Sequence, residues 1–136
     1  MSTSTRLLAF LFLFNTFLPI YATDEIPDIA ESGAVFAETC TSIDKAQVNF
    51  RSRDLLNVGT CAGYVKGFSD AMNVSYINSV QQKKDPGRIG YCIPDNSSMK
   101  QLIHVVLKYI KDHPEREHEQ TAALVISAFR RSFPCR

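Results

Sequence analysis

The 136-residue chain lacks most of the patterns that commit a protein to chemistry. Its four cysteines, Cys40, Cys61, Cys92 and Cys135, include no close C-x2-C pair, which removes the usual zinc-site spacings. There is no glycine-rich phosphate loop, no G-x-S-x-G elbow and no paired-carboxylate motif, so nucleotide handling and the familiar hydrolytic constellations have no foothold. The three histidines do not supply a metal site. His104 lies between Ile103 and Val105, off the main apolar face of its segment, and His113 and His118 are five residues apart across a helix start. A helical zinc pair needs i, i+4 spacing. Asp54 and Asp70 are single acids on a helix, suited to capping or ion pairing. The expectation is a protein with no catalytic residues, no metal and no cofactor. Charge of one sign is also missing, since 15 basic residues face 14 acidic ones. That balance argues against nucleic acid or an anionic membrane surface as partner. Strand-type alternation is nearly absent and no internal repeat is present.

What the chain does have begins with its first 22 residues. Arg6 is the only charge before Asp24, and an apolar run, "LLAFLFLFNTFLPIYA", leads to the small residue Ala22. A basic start, an apolar core and a small-residue exit describe a secretory signal. The run is shorter than the ~20 apolar residues a spanning helix requires and contains Asn15 and Thr16. Residues 1–22 are therefore expected to be removed, leaving one domain from Thr23 to Arg136 with no membrane contact of its own. Loss of Arg6 balances the two charge signs.

All four cysteines follow that cut. An even count in a small exported chain points to two disulfides, and the sequence leaves all three pairings open.

Four helical stretches follow from periodicity and stop signals. The first is expected over Ala34–Thr41, followed by a polar connection from Ser42 to Asn49. The second spans Ser52 to Val80, with Leu55, Leu56, Val58, Ala62, Val65, Phe68, Ala71, Met72, Tyr76 and Ile77 recurring along it. "QQKKDPGRIG" then reads as a loop, by its charge, Pro86 and two glycines. The third helix starts after Ser98, with Gln101 completing a capping box, and ends at Asp112–His113. Pro114 is expected to open the fourth, which Pro134 stops. The fold class is all-α, an irregular four-helix domain stapled by disulfides.

Gly59, Gly63 and Gly67 recur every fourth residue in the second helix. Each interior helical glycine costs about 1 kcal/mol relative to alanine. Close packing of a neighbouring backbone against the bare stripe would offset that. This makes the second helix the expected central element, tightly crossed on one side, with a partner groove as the alternative use of the stripe.

Four segments in order carry a resemblance: "CAGYVKGFSDA" (Cys61–Ala71), "YCIP" (Tyr91–Pro94), "QLIHVVLKYIKDHPEREH" (Gln101–His118) and "ALVISAFRRSFPC" (Ala123–Cys135). Together they resemble the amidase-immunity proteins of type VI secretion, the Rap/Tai group, over about Cys40 to Cys135. The resemblance implies a periplasmic, helical, disulfide-stabilised inhibitor. Such a protein binds an incoming peptidoglycan amidase, covers its cysteine–histidine cleft, and in several members forms a homodimer. It implies no enzyme.

An inhibitor of this kind needs an exposed, ordered protrusion that fits a concave site. Two segments qualify. One is the basic loop with Lys83, Lys84, Asp85 and Arg88. The other is the corner between the third and fourth helices, with His113, Glu115 and Arg116. Two other functions fit the same composition: an acid-responsive periplasmic stress chaperone, or a carrier holding a small apolar ligand between helices.

Overall fold

The computed structural model describes residues 27–45, 51–82 and 90–134. Residues 1–22, the loop residues Lys83, Lys84, Asp85 and Arg88, and Cys135 lie outside the described residues. Among the described residues there are four α-helices and no strand, as the pattern predicts. They are α1 (Gly33–Cys40), α2 (Ser52–Gln81), α3 (Met99–Asp112) and α4 (Thr121–Ser132), with short 3-10 segments at Thr41–Asp44 and Pro114–Arg116. Two starts are fixed by serine caps, which satisfy orphan donors of the first turn. Ser32 Oγ accepts from the Val35 N–H at 3.4 Å, and Ser98 Oγ accepts from the Gln101 N–H at 3.2 Å. At the start of α2 the Arg51 N–H donates to Asp54 Oδ2 at 3.0 Å.

The core lies where α3 and α4 face each other, with α1 laid against both. Phe36, Ile103, Val106, Leu124, Val125 and Phe129 are fully buried there, each contributing about 1.5–3 kcal/mol. A buried disulfide between Cys40 and Cys61, with Cα atoms 5.5 Å apart, fastens α1 to α2. Cys92 is disulfide-bonded as well, to a partner outside the described residues. Its N–H donates to the Phe133 carbonyl at 2.8 Å, beside the end of α4. Peptide mapping under non-reducing conditions is expected to find Cys92 joined to Cys135; a Cys92 peptide that runs alone would contradict it.

Two expectations need correction. Pro114 opens a 3-10 turn, and the fourth helix begins only at Thr121. The intervening carbonyls are turned elsewhere: Glu119 O accepts from the Gly33 N–H at 3.0 Å and Glu117 O from the Ala34 N–H at 2.9 Å. Bonded to the orphan donors of α1, they cannot continue a helical ladder. The buried Thr121 hydroxyl completes the joint by donating to the Ile29 carbonyl at 2.7 Å.

The second correction concerns the glycines. A Cβ at Gly59, Gly63 or Gly67 would meet nothing within 4 Å, so among the described residues no backbone crosses the stripe. Nor is α2 the central element, because only Asp54, Cys61 and Val65 of its 30 residues are buried. Gly33, by contrast, does permit close packing. A Cβ there would lie 2.3 Å from Leu124 Cδ1 and 3.1 Å from the Glu117 carbonyl oxygen. Leu124 is itself fully buried and has nowhere to go. Gly33→Ala is expected to cost roughly 1–3 kcal/mol through overpacking, measured by urea unfolding.

Candidate functional site

The corner after α3 is a network of paired side chains. Arg116 makes a bidentate pair with Glu119, Nε to Oε1 and Nη2 to Oε2, both at 2.7 Å. Its Nη1 donates to the Tyr109 hydroxyl, and the guanidinium sits 5.6 Å from the Tyr109 ring centroid. Bidentate geometry and ring stacking both favour arginine here over lysine. The His113 ring lies 4.5 Å from that of Tyr109. Arg131 Nη1 is 3.0 Å from His113 Nε2, and Glu115 Oε1 is 3.2 Å from Nδ1. A guanidinium has no acceptor, so this pairing assigns Nε2 as acceptor and places the ring proton on Nδ1, toward Glu115. His113, Glu115 and Arg116 lie together, engaged with one another and with Tyr109, Glu119 and Arg131. Glu115, with its side chain 65% exposed, is the member most open to a partner.

These pairs and others hold carboxyl groups below their ordinary range. The Arg116 hydrogen bonds lower Glu119, the Lys108 ammonium lowers Asp112, and the Glu115 backbone N–H with His113 lowers Glu115. At the foot of α2, Asp54 is lowered chiefly by Lys45 and by the Arg51 N–H. Carboxylates with depressed folded-state values stabilise the fold above their unfolded values, and that contribution is lost as pH falls through the folded ones. Stability is expected to be level from neutral pH down to the unperturbed values of 3.8 for Asp and 4.5 for Glu, and to decline below them. Urea titrations across this range check the slope.

A second surface is the outer face of α2. Leu55, Leu56, Val74, Tyr76, Ile77 and Val80 are all between 43% and 62% exposed. With 3.6 residues per turn, Leu56, Gly59, Gly63, Gly67, Val74 and Ile77 share an arc of roughly 80°. Lys66 and Asp70, paired at 2.5 Å, border the same strip. Leu55, Leu56, Tyr76 and Ile77 belong to the ten apolar residues that recur at helical spacing along α2, and the structure leaves these four exposed. The ten together run right round the helix, more than one packed side can cover.

A third feature is an open groove of about 1090 Å³ between the second half of α2 and the segment from Gly90 to Met99. Tyr91, Cys92, Ile93, Met99 and Leu102 supply its apolar lining, and Ser69, Asp70, Asn73 and Ser97 are among its polar residues. Tyr91 packs edge-on against Phe129 with centroids 5.3 Å apart. Among the described residues the buried Tyr91 hydroxyl has no hydrogen-bond partner, and burial pushes its pKa up against the opposing effect of Arg130. An orphaned buried hydroxyl costs about 1–3 kcal/mol. At the groove's end Gly90 has φ 71°, and a Cβ there would lie 2.9 Å from Arg130 Nε. Nothing in the sequence pattern singled out Tyr91.

Among the described residues no group of three or more His, Cys, Asp or Glu could hold a metal ion, and no helix is long and apolar enough to cross a membrane. No curated protein and no solved structure matches the chain. A family model does: that of the Rap1a immunity proteins matches residues 32–135, from the cap of α1 past the end of α4. Immunity proteins act by binding a partner effector protein, and the surfaces above are of the kind such binding uses. Because the match covers the four helices and the connections between them, the chain belongs to the Rap1a immunity protein family.

Proposed function

We propose that the chain is exported to the periplasm, where it binds and blocks a peptidoglycan amidase delivered by type VI secretion. The family match over residues 32–135 carries this reading. The amino-terminal signal pattern supports export, and the buried Cys40–Cys61 bridge suits an oxidising compartment. The basic stretch Lys83–Arg88, on its sequence, and the corner at Glu115 are the elements that would enter and cover the amidase cleft. The paired corner keeps its shape before binding, which lowers the ordering cost of association.

In the same reading two copies pair through the outer face of α2. An antiparallel two-fold contact centred near Gly67 sets Val74 and Ile77 of one copy over Gly63 and Gly59 of the other. It also brings Lys66 opposite Asp70. Bulky residues at one end and bare backbone at the other make the face complementary to itself, as an isologous contact requires. At 30 residues α2 is about 45 Å long, enough for several such layers.

The test is protection in cells. Bacteria that export a cysteine-class peptidoglycan amidase to the periplasm should survive when they also make the full chain. They should lyse when residues 1–22 are deleted. Equal lysis with and without the full chain would sink the proposal.

A further inference from the structure

His113 holds the corner to α4 by a bond that exists only while its ring is neutral. Arg131 Nη1 donates to Nε2 at 3.0 Å, and a guanidinium can only donate. A proton on Nε2 removes the acceptor and sets two cations face to face. The other ring nitrogen, Nδ1, lies 3.2 Å from Glu115 Oε1. There a charged ring turns a hydrogen bond into an ion pair. The backbone keeps the ring between the two. The His113 N–H donates to the Ile110 carbonyl at 3.1 Å, and the His113 carbonyl accepts from the Arg116 N–H at 3.0 Å. The other charged and titratable groups around the ring are Tyr109 and Asp112 of α3 and Arg116 of the 3-10 turn. Asp112 feels both His113 and Arg131 and is itself paired with Lys108. Arg116 is taken up by Glu119 and the Tyr109 hydroxyl, and His118 acts on Glu119. With those groups held, the exchange lies between Arg131 and Glu115.

We infer that His113 is a two-position switch set by pH: neutral, it ties the corner to Arg131 in the last turn of α4; protonated, it releases Arg131 and claims the Glu115 carboxylate. Imidazole is the side chain whose charge ordinarily changes between about pH 5 and 8. This deepens the proposed function and rests on it, because Glu115 is the corner side chain most open to the effector. In mild acid that carboxylate is satisfied within the chain and a positive charge is added beside it. Less of it is then offered to a donor in the amidase cleft. The fold is nearly indifferent, since one exposed bond is exchanged for another and such pairs contribute little.

Two readings test the switch. The first is nitrogen NMR of the histidine rings in the oxidised chain, between about pH 7.5 and 5.5. At the upper end His113 should carry its proton on Nδ1 and none on Nε2. On acidification Nε2 should gain a proton, with the Arg131 side-chain signals shifting on the same curve. A proton on Nε2 at the upper pH, or Arg131 signals that ignore the His113 titration, would overturn the inference. The second reading is affinity for a cysteine-class peptidoglycan amidase at both pH values, taken as a ratio within each chain. His113→Gln supplies an amide oxygen for Arg131 and never gains a charge. The unsubstituted chain should lose affinity on acidification about threefold or more beyond any loss in His113→Gln. His118→Gln should lose as much as the unsubstituted chain. Equal ratios for the unsubstituted chain and His113→Gln would overturn the inference as well. If the chain binds no such amidase at either pH, the proposed function falls and the withdrawal of Glu115 falls with it, while the ring titration still decides the exchange of partners.

Discussion

Removing the Cys40–Cys61 bridge is expected to cost about 3 kcal/mol. The bond closes a loop with a sequence separation of 21 residues, a length for which lost chain entropy in the unfolded state is worth roughly that much. Both residues are completely buried, so alanine at both positions also leaves unfilled volume in the core cluster they belong to. For a domain of this size the melting temperature should fall by roughly 10–20 °C, read by far-ultraviolet circular dichroism of the double alanine variant. The effect falls unevenly, because α1 is short and depends on α2 and on the corner carbonyls for its anchorage. Freed from α2, it should lose amide-exchange protection before α3 and α4 do. A chain folded in a reducing compartment would meet the same deficit, which is the physical link between this bond and the proposed export.

The second large effect concerns the outer face of α2. Val74→Asp with Ile77→Asp places two charges on positions 57% and 52% exposed. Exposed substitutions of this kind change monomer stability by about 0.5 kcal/mol or less. They should nonetheless abolish self-association, because each charge would be carried against a glycine-lined strip and desolvated there. Sedimentation equilibrium is expected to show a dimer for the wild type and a monomer for the double variant. The glycines give a complementary result. Alanine at Gly59, Gly63 and Gly67 meets no atom of the described residues, so each substitution should stabilise the monomer by roughly 0.5–1 kcal/mol. The same three methyl groups should weaken pairing by holding the two helices apart. A wild-type chain that sediments as a monomer at every concentration would remove this use of the face.

The two kinds of glycine show which features the sequence disclosed. Spacing alone marks Gly59, Gly63 and Gly67 as a stripe, but cannot say whether the neighbour that fits it is part of the same chain. Gly33 carries no pattern at all, standing just before the expected first helix, yet it admits a close approach, at Leu124 and Glu117. Helices α3 and α4 were legible because their apolar positions fall on one face and Ser98 and Pro134 mark boundaries. The start of α4 was not, because proline at a first turn signals that a helix can begin, and here the carbonyls of Glu117 and Glu119 are claimed by α1 across the domain. Tertiary capping of that sort leaves no local trace. The corner residues His113, Glu115 and Arg116 were found as a cluster, but their engagement with Tyr109, Glu119 and Arg131 depends on how α3 and α4 meet. Tyr91 was hidden for a similar reason. It sits among extended residues with no period, and only the packed chain reveals that its ring is in the core while its hydroxyl lacks a partner among the described residues.

The claim on which the rest depends is that this protein works by occupying an effector rather than by converting a substrate. The most direct measurement titrates the oxidised chain, from Thr23 onward, into a cysteine-class type VI peptidoglycan amidase while release of cleaved peptidoglycan fragments is followed. The account expects saturable binding in calorimetry, with fragment release falling to background as the complex fills. Undiminished release in the presence of excess chain, across the type VI amidases of the producing organism, would contradict it.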